Sequence, residues 1–145
     1  MIKEILIDFD GTINDCFKRY HILHNKICRS LNLETINYNN FVFLKKKKIK
    51  NINLFKSSKA IKKIYLKIWL QEIEKKKFLR YDRLFPGILK KLNTMSKKNI
   101  LYLNTYRQSE RNFKNQVENY KIKKFFKKIF FISNKLHSSK KKYFI

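Results

Sequence analysis

The sequence predicts an α/β fold, a parallel sheet flanked by helices, with a helical segment inserted after the first strand. Three observations lead to this prediction. Apolar strands alternate along the chain with helical patterns, which is typical of parallel sheets with right-handed crossovers. The first strand runs directly into Asp8, Asp10 and Gly11. The stretch between this strand and Pro86-Gly87 contains the clearest helical pattern of the chain.

The spacing of apolar side chains predicts each element. Apolar residues are almost continuous in the strands, as in buried parallel strands, and recur every three or four positions in the helices. Ser109 is positioned to cap the last complete helix. A polar turn is expected at residues 37–40, a basic loop at Lys45–Lys48 and a further helix start at Ser138-Ser139. The predicted strands are 3–8, 99–104 and 128–133, and the predicted helices are about 15–32, 60–77, 86–97 and 109–120.

The order of these elements divides the chain into two parts. Residues 1–14 and 84–145 carry the strands and form the predicted core, and residues 15–83 form a helical insert. The chain has 145 residues, 43% of them hydrophobic, which suits one domain or one domain with an insert.

The chain is strongly basic, with 36 Lys and Arg residues against 10 Asp and Glu residues and a formal net charge of +26. Such a charge can indicate a nucleic-acid partner. However, lysines occur in every segment, and Lys, Asn, Ile, Phe and Tyr dominate together, as A/T-rich coding produces. We therefore favour a compositional origin over a selected polyanion surface, for which the Lys45–Lys48 run would be the candidate. In either case the positive field attracts phosphorylated anions.

Other features predict a cytoplasmic protein without a membrane partner. No apolar stretch approaches the roughly 18 residues of a membrane span, and no basic-then-apolar leader precedes the first strand. Cys16 and Cys28 fall in one predicted helix, about 18 Å apart, which is too far for a disulfide. His21, His24 and Cys28 share a face of that helix, but without a fourth ligand we favour a structural role over a zinc site.

The residues that follow the first strand are the main functional signal. Asp8 and Asp10 stand at the carboxyl end of a buried strand, and Gly11-Thr12 lets the chain turn away. Two neighbouring carboxylates repel each other unless a cation or a proton intervenes, and Mg²⁺ joins carboxylates to substrate phosphates. One carboxylate can then attack phosphorus while the other moves protons. The residues alone leave open which acid has which role.

The segment DFDGTIND, residues 8–15, resembles the first motif of the haloacid dehalogenase superfamily. That motif is Asp-x-Asp-Gly-Thr, then an apolar residue and, two positions on, an Asp, places that Ile13 and Asp15 fill here. Most members are Mg²⁺-dependent phosphatases. The resemblance implies a Rossmann-like core, with three of its strands present, and a small helical cap inserted after the first motif. It also implies hydrolysis of a small phosphomonoester through an aspartyl-phosphate.

The resemblance also implies roles for individual residues. Asp8 is expected to be the nucleophile, and Asp10 the general acid and then the general base. Both are expected to hold Mg²⁺, Asp10 through its backbone carbonyl. Thr105 matches the family's second motif, a strand-end hydroxyl that binds the phosphoryl group. Lys140 or Lys141 is expected to offset the charge on the phosphoryl oxygens.

Two features leave alternatives open. Arg107 either binds a second substrate anion or lies in solvent. The family's fourth, acidic motif follows a fourth strand and completes the Mg²⁺ shell, but no such motif precedes Ile145. The first strand is then expected at an exposed sheet edge through which copies could associate. The alternative functions are therefore a truncated, catalytically impaired family member and a basic polyanion-binding module.

Overall fold

The computed structural model describes residues 2–133, which form an α/β structure. Two single 3₁₀ turns, at Asn51–Asn53 and Lys123–Phe125, connect elements. Ser138-Ser139, Lys140 and Lys141 lie outside the described residues. The strands are β1 (Lys3–Asp8), β2 (Asn14–Asp15), β3 (Arg83–Leu84), β4 (Asn99–Arg107) and β5 (Lys128–Ser133). The helices are α1 (Phe17–Ser30), α2 (Tyr38–Lys46), α3 (Lys59–Glu72), α4 (Lys76–Leu79), α5 (Ile88–Ser96) and α6 (Glu110–Asn119).

The chain divides into two compact units. Unit 1 consists of Met1–Asp15 and Leu84–Ile145, and unit 2 consists of Cys16–Arg83. Unit 1 holds the strands β1, β4 and β5 with the helices α5 and α6, whereas unit 2 holds the helices α1 to α4. The sequence-based division placed the corresponding boundaries after residue 14 and before residue 84.

The three long strands of unit 1 form a parallel sheet in the order β1–β4–β5. Asp8 at the end of β1 lies opposite Asn104 of β4, and Arg107 at the end of β4 lies opposite Ser133 of β5. The predicted parallel α/β fold is therefore confirmed. Within residues 2–133, β1 is an edge strand, and its Leu6 side chain is 49% exposed.

The core of unit 1 lies on one face of this sheet, beneath α5 and α6. Because successive side chains of a strand point to opposite faces, alternate residues of β4 are buried, and these include Thr105 and Arg107. Both polar side chains therefore lie on the same covered face as the apolar core. The buried core residues are Phe9, Ile13, Leu92, Leu101, Leu103, Phe113, Val117 and Ile122.

Unit 2 has a core of its own, which includes the His24 and Cys28 side chains. The His24 imidazole is hydrogen-bonded through Nδ1 to the Tyr65 hydroxyl at 2.8 Å and contacts Cys28 Sγ through Nε2 at 3.5 Å. Burial lowers the pKa of His24 to about 4 and raises the pKa of Cys28 to about 11. His21 instead meets the Ile36 carbonyl at 2.7 Å. These residues therefore have structural roles. The buried apolar and aromatic residues are Leu23, Ile27, Cys28, Phe55, Tyr65, Ile73 and Phe78.

Three sequence-based assignments in unit 2 are wrong. The basic loop expected at Lys45–Lys48 begins inside α2, which ends at Lys46. The expected turn at residues 37–40 is the start of α2, because the Asn37 side chain accepts a hydrogen bond from the Asn40 N–H at 2.9 Å and caps the helix. The expected single helix at 60–77 is two helices, α3 and α4. Ile73 and Phe78 are both buried, but on one helix they would lie about 140° apart. The break between the two helices lets both side chains reach the same core.

Candidate active site

The loop that follows β1 is held in a tight turn by main-chain hydrogen bonds. The Phe9 carbonyl accepts from the N–H groups of Ile13 and Asn14 at 3.0 and 2.9 Å, and the Gly11 N–H donates to the Asn14 carbonyl at 2.8 Å. Gly11 has a φ of 83°, in the left-handed region that favours glycine. Phe9 and Ile13 are both fully buried. The turn therefore fixes the backbone on both sides of Asp10.

Asp8 lies at the carboxyl end of β1 and is exposed to solvent. Its pKa is raised, mainly by partial desolvation and then by the negative charge of Asp10. The backbone N–H of Phe9 and the guanidinium of Arg107 act in the opposite direction. Asp8 is thus an accessible carboxylate at the sheet edge where open α/β sheets bind ligands.

Asp10 forms a bidentate ion pair with Arg107. Arg107 Nε donates to Asp10 Oδ2 at 2.6 Å, and Arg107 Nη2 donates to Asp10 Oδ1 at 2.6 Å. The Arg107 side chain is only 2% exposed, and that of Asp10 is 18% exposed. Bidentate, charge-assisted pairs of this kind fix orientation as well as adding energy. The alternative that Arg107 lies in solvent is therefore wrong, and its hydrogen bonds to Asp10 were not expected from the sequence.

Further side chains extend this pair into a network. Arg107 Nη1 donates to Gln116 Oε1, and the guanidinium lies 5.0 Å from the centre of the Phe9 ring. Asn14 Nδ2 donates to Asp10 Oδ1 at 2.8 Å, and the Tyr120 hydroxyl donates to Asn14 Oδ1 at 3.0 Å. The loop after β1, the end of β4 and the end of α6 are thereby joined. The Asp10 network is the set Asp10, Asn14, Arg107, Gln116 and Tyr120.

Thr105 and Asn104 carry buried polar atoms at the same sheet edge. Thr105 is 1% exposed, and neither its Oγ1 nor Asn104 Oδ1 has a hydrogen-bond partner within the described part of the chain. Asn104 lies opposite Asp8 in register, and Thr105 is the next residue along β4. Buried polar groups are normally satisfied, and exceptions often indicate a missing ligand. Asn104 Oδ1 and Thr105 Oγ1 are therefore buried polar atoms near the end of β4 that the described part of the chain leaves without a partner.

The residues at this edge also fit a magnesium ion, but with few protein ligands. Asp8 supplies an exposed carboxylate, whereas the Asp10 carboxylate is committed to Arg107 and Asn14. Residues 2–133 contain no cluster of three or more His, Cys, Asp or Glu side chains that could hold a metal. Mg²⁺ often keeps several waters and binds one or two carboxylates together with substrate phosphates. Asp8, with the Asp10 backbone carbonyl that the resemblance implies, is compatible with such a site.

Most of the Asp10 network was missed by sequence reasoning. The helical spacing of Gln116 and Tyr120, four residues apart, was a usable signal that both face one side of α6. Nothing in the sequence indicated their partners, because Arg107 and Asp10 are 97 positions apart. The predicted phosphate-binding residues Lys140 and Lys141 lie outside the described residues, so their roles stay predictions.

Solved structures with the same fold are found among haloacid dehalogenase-like hydrolases. A hydrolase of the haloacid dehalogenase-like family from Streptococcus pneumoniae matches 92% of this chain and 62% of its own, with a TM-score of 0.72 and 21% identity. A structure from Lactobacillus plantarum, described as a phosphoglycolate phosphatase, has the same coverages, a TM-score of 0.65 and 13% identity. A subfamily IA hydrolase of that superfamily from Geobacter sulfurreducens matches 90% of this chain and 62% of its own, with a TM-score of 0.58 and 14% identity.

Comparisons of sequence alone give no match, either to protein-family models or to curated proteins. The chain spans 62% of the length of each of the three structures. Among residues 2–133, no helix combines the length and the apolar character needed to cross a membrane. At these levels of identity the likeness concerns architecture, and the chain has the Rossmann-like fold of the haloacid dehalogenase-like hydrolases.

Proposed function

We propose that the chain carries the catalytic residues of a Mg²⁺-dependent phosphatase that hydrolyses a small phosphomonoester through an aspartyl-phosphate. The observation that carries this proposal is the exposed Asp8 carboxylate on β1 beside the buried Thr105 hydroxyl of β4, which has no hydrogen-bond partner within residues 2–133. The descriptions of the structural neighbours as hydrolases and as a phosphoglycolate phosphatase support the reaction class.

In the first step, an Asp8 carboxylate oxygen attacks phosphorus. The bond from phosphorus to the ester oxygen breaks, and its electron pair leaves with that oxygen, which Asp10 protonates as general acid. For this step the Asp10 carboxyl must carry a proton and free one oxygen from its hydrogen bonds with Arg107 and Asn14. Thr105 donates its hydroxyl proton in a hydrogen bond to a phosphoryl oxygen, which satisfies the buried Oγ1. Lys140 or Lys141 offsets the charge on the phosphoryl oxygens.

In the second step, water attacks phosphorus and the bond from Asp8 to phosphorus breaks. Asp10 accepts the water proton as general base, and Asp8 regains its carboxylate. A magnesium ion held by Asp8 and the Asp10 carbonyl would supply positive charge against the phosphate oxygens. The role of the protein in both steps is to hold the two acids and the hydroxyl at one edge of the sheet.

The remaining sequence-based expectations are part of the same proposal. Unit 2 acts as the helical cap that selects the substrate, and the net charge of +26 attracts phosphorylated molecules. A cytoplasmic location, no membrane partner and self-association through the β1 edge stay predictions. Nucleic-acid binding is the less favoured partner, because Lys45 of the basic run donates to the Ile49 carbonyl at 2.9 Å and burial lowers its pKa.

The test is release of inorganic phosphate from a panel of small phosphomonoesters, with and without Mg²⁺. Asp8→Asn should abolish release, because an amide cannot form the acyl-phosphate. Glu4→Gln is the matched control: Glu4 is an exposed carboxylate on the same strand, four residues earlier, that accepts from the Tyr102 hydroxyl at 2.9 Å. It should retain the wild-type rate. Equal rates for Asp8→Asn and wild type would reject the proposal.

A second candidate is a member of this fold without turnover. The observation that favours it is the small number of carboxylates that could bind Mg²⁺. Asp10 is paired with Arg107, and no cluster of three or more metal-binding side chains is found within residues 2–133. This candidate predicts no phosphate release at any Mg²⁺ concentration and no heat of Mg²⁺ binding by titration calorimetry. Mg²⁺-dependent release that requires Asp8 would exclude it.

A further inference from the structure

Arg107 uses all three of its guanidinium nitrogens within the protein. Two of them, Nε and Nη2, donate to Asp10, and Nη1 donates to Gln116. The same guanidinium lies over the Phe9 ring, and the side chain is almost completely buried. Three of the five guanidinium N–H donors therefore go to Asp10 and Gln116, and these contacts tie Arg107 to the protein.

The position of Asp10 depends on these contacts. An aspartate at a surface turn can rotate about two side-chain torsions, but each Asp10 oxygen here accepts from Arg107, and Oδ1 also accepts from Asn14. Arg107 is itself fixed by its place in β4, paired with β5, and by Gln116 of α6. The sheet and the helix therefore jointly set where the Asp10 carboxylate lies.

We propose that Arg107 is a positioning residue for the reaction, which acts by holding the Asp10 carboxylate in place. This inference rests on the proposed function, in which Asp10 transfers protons. A proton-transfer group must lie within hydrogen-bond reach of the reacting oxygen, and small displacements reduce rates strongly. Gln116 supports Arg107 in this role through the third guanidinium nitrogen.

The experiment is a double-mutant cycle on steady-state hydrolysis of para-nitrophenyl phosphate. Its leaving group departs without a proton, so that Asp10→Asn loses only the general-base role of the second step and not the general-acid role of the first. Arg107→Gln should lower kcat about ten- to a hundredfold and leave KM within about twofold, because Arg107 does not contact substrate. Arg107→Lys, which keeps the charge but loses the bidentate geometry, and Gln116→Ala should each lower kcat less than Arg107→Gln does.

The decisive result is the effect of Arg107→Gln in the Asp10→Asn background. If Arg107 acts through Asp10, this second substitution should change kcat little there, since interacting residues are non-additive. A loss of the same factor in both backgrounds would overturn the inference, as would a raised KM with an unchanged kcat. If Asp10→Asn has no turnover, Arg107→Gln and Arg107→Lys test the inference alone. A lowered kcat with an unchanged KM supports it, and a raised KM with an unchanged kcat overturns it.

Two controls separate this role from a loss of folding. Arg111→Gln makes the same chemical change at an exposed arginine of α6 and should leave kcat and KM unchanged. Unfolding of the four proteins of the cycle, followed in urea, should show coupling between Arg107 and Asp10 whether or not the chain turns over substrate. Absence of that coupling overturns the inference alone. Absence of phosphate release from wild type overturns the proposed function and the inference with it.

Discussion

Replacement of Thr105 by valine should raise stability and lower phosphatase activity. Valine has nearly the same shape as threonine and replaces the hydroxyl by a methyl group. Thr105 is 1% exposed, and its Oγ1 has no hydrogen-bond partner in the part of the chain that the structure describes. The substitution therefore removes an unsatisfied buried group without opening a cavity.

The two effects can be estimated separately. An unsatisfied buried polar group destabilises a protein by about 1–3 kcal/mol, so Thr105→Val should raise the free energy of unfolding by about 1 kcal/mol. A chain of this length then gains about 3 °C in Tm. A hydrogen bond to a charged group contributes about 1.5–3 kcal/mol. Loss of such a bond to the phosphoryl group should reduce kcat/KM about ten- to a hundredfold.

The assay pairs thermal unfolding with phosphate release on the same preparations. Thr105→Ser should keep most of the activity, because it retains the hydroxyl. Thr94→Val is the matched control: Thr94 is an exposed residue of α5 that donates to the Lys90 carbonyl at 3.1 Å, and its replacement should change activity little. A Thr105→Val protein that is clearly less stable than wild type, or one with undiminished kcat/KM, would refute the reasoning.

Three further predictions concern the turn, the core of unit 2 and the Asp10 network. Gly11→Ala should lower the free energy of unfolding, measured in urea, by about 1–2 kcal/mol. The Gly11 φ is 83° and an added Cβ meets no atom within 4 Å, so the cost is backbone strain alone. An unchanged free energy of unfolding would contradict this. Burial holds the pKa of folded His24 at about 4, so the unfolded state takes up a proton first, and about 3 kcal/mol of stability should be lost as the pH falls from 6.5 to 4. His24→Phe should flatten that pH dependence of unfolding, and a wild-type curve that is already flat would count against it. Tyr120→Phe removes the hydroxyl that donates to Asn14. It should lower the free energy of unfolding by about 1 kcal/mol and reduce kcat several-fold. An unchanged kcat would be the contrary result.

The sheet could be predicted from the sequence because buried parallel strands are locally apolar. The bounds of β1 and β5 match the predicted strands 3–8 and 128–133. The cap of α6 is also confirmed, since Ser109 Oγ accepts from the Asn112 N–H at 3.2 Å. These features depend on neighbouring residues, whose spacing a single sequence displays.

Unit 2 was predicted less well because its helix boundaries depend on contacts between helices. Asparagine is common both in turns and at helix starts, so residue 37 alone could not decide between them. The burial of Phe41, which the sequence does not show, accompanies the capped helix. The break between α3 and α4 likewise follows from the shared core of Ile73 and Phe78. The local pattern at 60–77 continues through the break and gave no sign of it.

The site could be predicted only in part for a related reason. The carboxylates were visible because the motif after β1 is local, and their catalytic roles stay predictions. Arg107 was noticed because it follows the second predicted strand, but in a chain with 36 Lys and Arg residues nothing in the sequence indicated that it pairs with Asp10. Its buried pairing with Asp10 depends on the parallel register that brings the ends of β1 and β4 together.

The central claim is that the carboxylate of residue 8 becomes phosphorylated during turnover. The most direct measurement is rapid acid quenching of wild type with substrate and Mg²⁺, followed by mass spectrometry of the peptide that contains β1 and the turn after it. The account predicts a phosphoryl group on Asp8 that disappears as substrate is consumed and is absent from Asp8→Asn. Phosphate release with no label on that peptide, or with the label on another residue, would contradict it.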